Sequence, residues 1–290
     1  YWIGGMSFQL EIFESAKSEP VIDELSGGFV ARDYQQSGIN RAFELWDEGK
    51  DGVMFRQPTG TGKTVSACFI MQRWLNLGPE YRVMTIAHER QLIWQFAQEI
   101  EDVLGEKPGI EMADRRVGEI PKITVASRAT LIDRQIKNED GTTESASRLF
   151  KFDPVKFKWL IIIDEAHRYA YKLKSVRHVI DWFERSSHNK RLGLTATPER
   201  GDGTSLERLF PGVASDYRLY NIDGGECAVD DGWAVKYDQR FVTIEGIDFR
   251  NLREVAGDFD DAELEAILTE RKMILSLVQP TLELAKKRKT

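Results

Sequence analysis

The strongest chemical signal is a glycine-rich string that ends in lysine and threonine: Gln57-Pro58-Thr59-Gly60-Thr61-Gly62-Lys63-Thr64. An apolar run typical of a strand precedes it and a helical pattern follows it, which is the setting that a phosphate-binding loop requires. Its glycines let successive N–H groups face inward, and the helix N-terminus adds partial positive charge. Lys63 would reach the β- and γ-phosphates, and the Thr64 hydroxyl would ligate Mg²⁺. Gln57 stands where the usual pattern has its first glycine, and the alternative is a plain glycine turn before a helix.

The second candidate is an acidic pair, Asp164 and Glu165, which follows the apolar run Trp159–Ile163. Ligands bind at the carboxyl ends of parallel strands, and the glycine-rich string leaves its own strand at the same edge. An aspartate there can hold Mg²⁺ through water, and the adjacent glutamate can orient and deprotonate an attacking water. Taken alone, such a pair is more often a charge pair at a helix N-terminus. Its pairing with the phosphate loop favours the catalytic interpretation.

A third string, Thr195-Ala196-Thr197-Pro198, ends the next apolar run. Taken alone, it is more typical of a helix N-cap followed by proline at the first helical position.

The elements that must position these residues follow from five short apolar runs, which predict buried strands: Val53–Phe55, Arg82–Ala87, Ile123–Ala126, Trp159–Asp164 and Leu192–Thr195. Their apolar residues are consecutive rather than alternating, as in a sheet covered on both faces. Helical patterns lie between them, at about 63–75, along Leu92–Val103 and along Val176–Phe183. Strands that alternate with helices predict an α/β fold with a parallel sheet and right-handed crossovers.

Two stretches interrupt this alternation. Residues 137–156 are polar and turn-rich, and are expected to form an exposed insertion before the fourth apolar run. Residues 222–232 are an acidic, glycine-rich stretch before a late predicted strand, Phe241–Ile244. From Asp260 the pattern is helical again, until Pro280 kinks or restarts it.

Composition excludes several classes of protein. The 290 residues carry two cysteines, too few and too far apart for a disulfide framework or a zinc site. No apolar run approaches the roughly 18 residues of a membrane span, and no signal peptide is recognisable. The net charge of −7 conceals a basic stretch, residues 115–200, with 18 basic and 11 acidic side chains. Four tryptophans in apolar patterns are expected to be packing anchors: Trp46, Trp74, Trp94 and Trp182.

Taken together, these strings resemble the first motor domain of superfamily 2 helicases and translocases. The string that ends in Lys63-Thr64 resembles motif I of that family, Asp164-Glu165-Ala166-His167 its motif II, and Thr195-Ala196-Thr197 its motif III. The resemblance covers about residues 30–245. It implies a RecA-like P-loop NTPase domain that uses ATP and Mg²⁺.

The resemblance also implies roles for further residues. Arg32-Asp33-Tyr34-Gln35 resembles the adenine-recognising element, in which Gln35 reads the adenine edge and Arg32 packs on the ring. His167, Thr195 and Thr197 would couple the γ-phosphate to the nucleic-acid groove. Two strings resemble motifs Ia and Ib, which contact the backbone of the tracked strand, and they supply His88, Arg90, Gln91, Ser127 and Arg128.

Gly193-Leu194-Thr195-Ala196-Thr197-Pro198-Glu199-Arg200, followed by Asp202-Gly203, is similar to the RadD/XPB-like and restriction-motor branch, which favours DNA over RNA. The family pairs two RecA-like domains around ATP. We therefore expect residues 1–27 to be an N-terminal extension, 28–245 the ATP-binding domain, and 246–290 a helical connector toward a second domain absent from this chain. A cytoplasmic or nucleoid-associated location, or a nuclear one in a host with a nucleus, is expected.

Three other functions stay open at this point. A nucleotide-gated binding or scaffold module of a larger defence or repair assembly would explain the acidic stretch and the insertion as docking surfaces. An RNA-directed helicase would share the main motifs. A small-molecule kinase would share the phosphate loop, but it explains neither Gln35 nor the Thr195-Ala196-Thr197 string.

Overall fold

The computed structural model describes residues 24–25, 27–132, 135–137, 143–145, 147–169, 174–198, 205–221, 224–236, 254–255, 258–259, 261–269, 278–279 and 282. Four predicted features lie wholly or largely outside these residues: the extension 1–27, the string 199–203, the late strand Phe241–Ile244 and the connector 246–290.

The described elements alternate between helix and strand over most of the chain. The helices are α1 Asp33–Asp47, α2 Lys63–Leu75, α3 Arg90–Leu104, α4 Arg128–Leu131, α5 Lys174–Phe183 and α6 Asp261–Leu268. The strands are β1 Gly52–Arg56, β2 Tyr81–Ala87, β3 Gly109–Glu111, β4 Ile123–Ser127, β5 Gln135–Lys137, β6 Thr143–Ser145, β7 Lys158–Ile163, β8 Lys190–Thr195, β9 Gly212–Asp216, β10 Glu254–Val255 and β11 Asp258–Phe259. All five predicted strands and the three predicted helices are confirmed. The helix α6 agrees with the helical pattern that begins at Asp260.

Seven strands form one sheet in the order β3-β4-β2-β7-β8-β1-β9, and every neighbouring pair is parallel. The register pairs Phe55 with Leu194 and Ile86 with Ile163. All seven carboxyl ends therefore lie along one edge. That order makes β7, β8 and β1 consecutive, although they lie far apart in the sequence. The fold is the α/β class that the apolar runs predicted.

The sheet has a core on each face, which explains the consecutive apolar residues of its strands. Along β7, Leu160 and Ile162 pack into one cluster with α1, α2 and α3. Trp159, Ile161 and Ile163 pack on the opposite face, with α5. Because successive strand residues point to opposite faces, a strand covered on both sides has to be apolar at every position. The two cysteines are buried and unpaired.

Two expectations about exposure are wrong in part. The insertion predicted over 137–156 begins with the antiparallel pair β5 and β6, and its later part contributes two side chains to the core, while Phe150 and Val155 there are exposed. Leu149 and Phe152 are fully buried there, because they pack against Trp159 and its neighbours. Trp94 is not a packing anchor: the residue is 39% exposed on α3, and the Arg115 guanidinium lies over its ring.

Candidate nucleotide-binding site

The glycine-rich string forms the loop between β1 and α2, as predicted. Gly60 and Gly62 both have left-handed backbones, with φ of +84° and +80°. A Cβ on Gly62 would also lie 2.9 Å from the side-chain nitrogen of Gln35. The left-handed backbone is what favours glycine at Gly62, and a side chain there would also displace the Gln35 amide. The loop delivers the chain to the N-terminus of α2, which begins at Lys63.

Gln57, the departure from the usual glycine, has a structural role. Its side chain is fully buried rather than turned toward the loop interior. Its amide nitrogen donates to Ser215 Oγ at 3.3 Å, and its amide oxygen accepts from Ser66 Oγ at 3.3 Å. Its backbone N–H donates to the Thr195 carbonyl at 3.0 Å. Gln57 thus fastens the base of the loop to α2, β8 and β9.

Lys63 and the acidic pair line one cleft of about 400 Å³, together with the loop and one face of α3. Burial lowers the pKa of the Lys63 ammonium, and the carboxylates of Glu165 and Asp164 oppose that shift. Burial and the neighbouring charge of Glu165 raise the pKa of Asp164. Two carboxylates thus lie opposite one lysine. A bound cation would offset the charge of the carboxylates, and a phosphate chain would offset that of the lysine.

Glu165 holds an unusual backbone conformation. Its φ of +48° and ψ of +52° place it in the left-handed region, and it is the one non-glycine residue with positive φ among those the structure describes. Such residues concentrate at functional sites, because the surroundings must fix a conformation that costs free energy. Its carboxylate lies 3.3 Å from His167 Nδ1.

The predicted coupling residues meet directly. His167 Nδ1 lies 3.0 Å from Thr195 Oγ1, and that hydroxyl oxygen also accepts from the Thr197 backbone N–H at 3.1 Å. Thr195 is fully buried at the end of β8. The contact joins the turn after β7 to the turn after β8, because these strands are neighbours in the sheet.

The predicted base-recognition residues lie at the start of α1. The Gln35 side chain is buried and donates to the Gly62 carbonyl at 3.2 Å, while its oxygen accepts from the Arg32 backbone N–H at 3.0 Å. The hydroxyl of Tyr34 donates to the Thr61 carbonyl. The N-terminus of α1 is thereby tied to the phosphate loop at two points.

One cleft residue escaped the sequence analysis. Glu99 on α3 lines the cleft, its carboxylate interacts with the Thr64 hydroxyl, and burial raises its pKa. Only its position on the face of α3 that meets α2 could have indicated it, and one sequence does not reveal which helices meet.

The predicted nucleic-acid contacts lie elsewhere on the same edge, after β2 and β4. His88 Nε2 accepts from Arg168 at 2.8 Å, which links this string to the turn after β7. Arg90 forms an exposed ion pair with Asp114 at 2.8 Å. Gln91 is exposed at the start of α3, Ser127 is half-buried, and Arg128 lies 5.3 Å from the Tyr169 ring centre. The sheet order places all of them on the side of β7 away from β1.

The described residues lack two further features. No group of three or more His, Cys, Asp or Glu side chains there is arranged to hold a metal ion. No helix there is long and apolar enough to cross a membrane.

A parallel, helix-covered sheet with a glycine loop and an acidic pair on nearby strands defines the class: a RecA-like P-loop nucleotide-binding domain. The family model described as "Type III restriction enzyme, res subunit" matches residues 28–200. The chain belongs to this family. The resemblance to the first motor domain of superfamily 2 helicases and translocases is thereby confirmed.

Individual relatives are similar over part of their length. Irc3 of Schizosaccharomyces pombe, whose name describes a mitochondrial ATP-dependent helicase, is 26% identical over 265 residues, which are 89% of this chain and 39% of that protein. The ATP-dependent DNA helicase MPH1 of Candida albicans is 31% identical over 183 residues, 59% of this chain and 13% of that protein. The solved UvsW helicase of bacteriophage T4 aligns with a TM-score of 0.45 at 17% identity, over 64% of this chain and 59% of that one. The chain spans well under half the length of irc3 and MPH1.

Proposed function

We propose that the chain binds ATP with Mg²⁺ and hydrolyses it as the first motor domain of a nucleic-acid helicase or translocase. One observation carries the proposal. The sheet order makes β7, β8 and β1 neighbours, so that Asp164, Thr195 and the phosphate loop share one edge. That edge is where doubly wound sheets bind ligands.

In this proposal each charged group has one task. The loop N–H groups and Lys63 bind the β- and γ-phosphates and offset their negative charge. Glu165 would accept a proton from the water that attacks the γ-phosphate, and Asp164 would help to hold the metal. The left-handed backbone of Glu165 and the contact with His167 fix the direction of its carboxylate.

The donor set suits magnesium. Thr64 supplies a hydroxyl, Asp164 a carboxylate, and Glu99 and Glu165 add further oxygens around the same cleft. Mg²⁺ prefers oxygen, keeps several waters, and usually needs only one or two protein ligands beside phosphate. The absence of a three-ligand cluster from the described residues is therefore compatible with this assignment. When bound, the ion would offset negative charge on the phosphate oxygens.

Coupling to nucleic acid would run through His167 and Thr195. His167 contacts both Glu165 and Thr195, so a change at the γ-phosphate that moves Glu165 also reaches the turn at Thr197. On the other side, Arg168 contacts His88, a proposed nucleic-acid contact. Neighbouring residues of one turn thus touch both proposed sites.

DNA is the proposed substrate rather than RNA. The support is that the relative MPH1 is named as a DNA helicase, together with the family match to a restriction-enzyme subunit. The proposed contacts to the strand backbone are His88, Arg90, Gln91, Ser127 and Arg128.

A second RecA-like domain belongs to the proposal as well, because the chain matches 39% of irc3. We keep the division into 1–27, 28–245 and 246–290, whose first boundary agrees with the start of the family match at residue 28. The second domain would supply arginine fingers, which accelerate hydrolysis by roughly 10³-fold or more where they have been measured.

Replacing Lys63 by alanine tests the nucleotide site. We expect Lys63→Ala to weaken binding of Mg-ATP by at least about tenfold, because a charge-assisted contact to phosphate contributes about 1.5–3 kcal/mol. Isothermal titration calorimetry measures the affinity directly.

Lys122→Ala is the matched control, since Lys122 is an exposed lysine paired with Glu106 on the surface. It should bind ATP as the wild type does. Equal ATP affinity in Lys63→Ala and wild type would overturn the proposed site. Nucleotide binding without any effect of DNA or RNA on hydrolysis would instead favour a nucleotide-gated scaffold.

A further inference from the structure

An exposed tryptophan far along the chain lies against the proposed base-recognition residue. The guanidinium carbon of Arg32 is 3.8 Å from the centre of the Trp233 ring. Trp233 is 47% exposed, and it belongs to none of the strings that resemble family motifs. A planar guanidinium stacks well on an aromatic face, and it has a second face on which another planar group can stack.

The backbone around Trp233 is held in place. Gly232, directly before it, has a left-handed φ of +76° and closes the turn that begins at Cys227. Asp231 accepts a hydrogen bond from the Tyr217 hydroxyl at 2.7 Å. Tyr217 stacks in turn on Tyr34, with ring centres 3.9 Å apart and planes within 2°. The backbone that carries the indole is therefore tied to Tyr34 at the start of α1, two residues after Arg32.

This cluster is continuous with the phosphate loop. The Arg32 guanidinium donates to the Tyr34 hydroxyl at 3.1 Å, and that hydroxyl donates to the Thr61 carbonyl. Two hydrogen bonds thus separate the stacked guanidinium from the backbone that would bind phosphate. A nucleotide whose phosphates lie on the loop has its base at the other end of the same molecule, within reach of this side of the site.

We infer that Trp233 is a positioning residue for the nucleotide base. Its indole supports one face of the Arg32 guanidinium, so that the opposite face is presented flat to the purine ring. The base, the guanidinium and the indole then form three stacked layers. The inference rests on the proposed nucleotide site. It gives the segment after β9 a role in binding the base, whereas the glycine loop binds only the phosphates.

The test separates base binding from phosphate binding. We expect Trp233→Ala to weaken Mg-ATP binding about three- to tenfold, the range of a partly desolvated cation–π contact. Binding of inorganic tripolyphosphate, which has no base, should stay at the wild-type value. Trp233→Phe should restore most of the ATP affinity, since phenylalanine keeps an aromatic face. Calorimetry with both ligands gives the four comparisons.

Trp94→Ala is the matched control, because Trp94 is also partly exposed and also carries an arginine over its ring. It should bind both ligands as the wild type does. Wild-type ATP affinity in Trp233→Ala would overturn the inference, and so would an equal loss of both ligands that Trp233→Phe does not restore. Lys63→Ala tests the nucleotide site independently of Trp233. Unchanged ATP binding in that variant would contradict the proposed site itself.

Discussion

Glu165 combines a strained backbone with a proposed catalytic role. A left-handed conformation costs a residue with a side chain about 1–2 kcal/mol, so the surroundings must stabilise it. A short 3₁₀ turn, Ala166–Arg168, follows at once, and His167 lies against the carboxylate. Its neighbour Asp164 faces a site in which burial already disfavours negative charge. These costs are understandable if a cation and a phosphate chain complete the site.

Glu165→Gln keeps the size of the side chain but removes the base. We expect the variant to bind Mg-ATP with close to wild-type affinity and to lose hydrolysis by about 10²–10⁴-fold, the usual contribution of a general base. Calorimetry and a steady-state phosphate-release assay on the full-length protein measure the two quantities. Glu44→Gln, on the exposed face of α1, should leave both unchanged. Wild-type hydrolysis in Glu165→Gln would remove Glu165 from the role of base.

Among the elements, the sequence predicted the centre of the sheet better than its edges. The five inner strands were predictable because both of their faces are covered, which requires consecutive apolar residues. The strands β3 and β9 were missed because β3 has only three residues and the buried residues of β9, Gly212, Ala214 and Ser215, include no large apolar side chain. Helix α1 was not predicted. One reason is that Gln35 and Gly38 lie on its buried face, and neither is an apolar residue that would contribute to a helical periodicity.

The residues of the site also divide into those that the sequence predicts and those that it does not. The residues of the strings could be predicted because they follow strands directly. Glu99 and Trp233 could not, because each joins the site through packing between elements that are distant in the sequence. The later part of the predicted insertion was assigned to the surface for a related reason: its polar residues hold it to β3, and the sequence does not show that contact.

Glu111 tests that correction. Its carboxylate is fully buried at the end of β3 and forms ion pairs with Arg148, at 3.0 Å, and with Lys151. Glu111→Gln leaves both cations without a counter-charge, and we expect a loss of about 1–3 kcal/mol in the free energy of unfolding. Urea denaturation followed by circular dichroism measures the change.

Glu106→Gln is the control, since Glu106 pairs with Lys122 on the surface, where such pairs contribute little. Its unfolding should stay within about 0.5 kcal/mol of wild type. If Glu111→Gln unfolds at the same urea concentration as Glu106→Gln, then residues 147–156 are not held to the core through this contact.

For the whole molecule, the net charge of −7 does not argue against a nucleic-acid partner. Binding to the backbone needs only a few cations and N–H groups at one edge, and it should weaken as salt concentration rises. The sheet order separates that edge into two halves, with the phosphate loop after β1 and the proposed nucleic-acid contacts after β2 and β4. The residues after β7 lie between the two halves. His167 contacts Thr195 on one side, and Arg168 contacts His88 on the other.

The most direct test of the central claim is ATP hydrolysis by the full-length protein with and without nucleic acid. We predict that DNA raises the steady-state rate severalfold, that the gain declines with added salt, and that Glu165→Gln shows no gain. RNA should stimulate less than DNA. A wild-type rate that neither DNA nor RNA changes would contradict the assignment of this chain to a nucleic-acid motor.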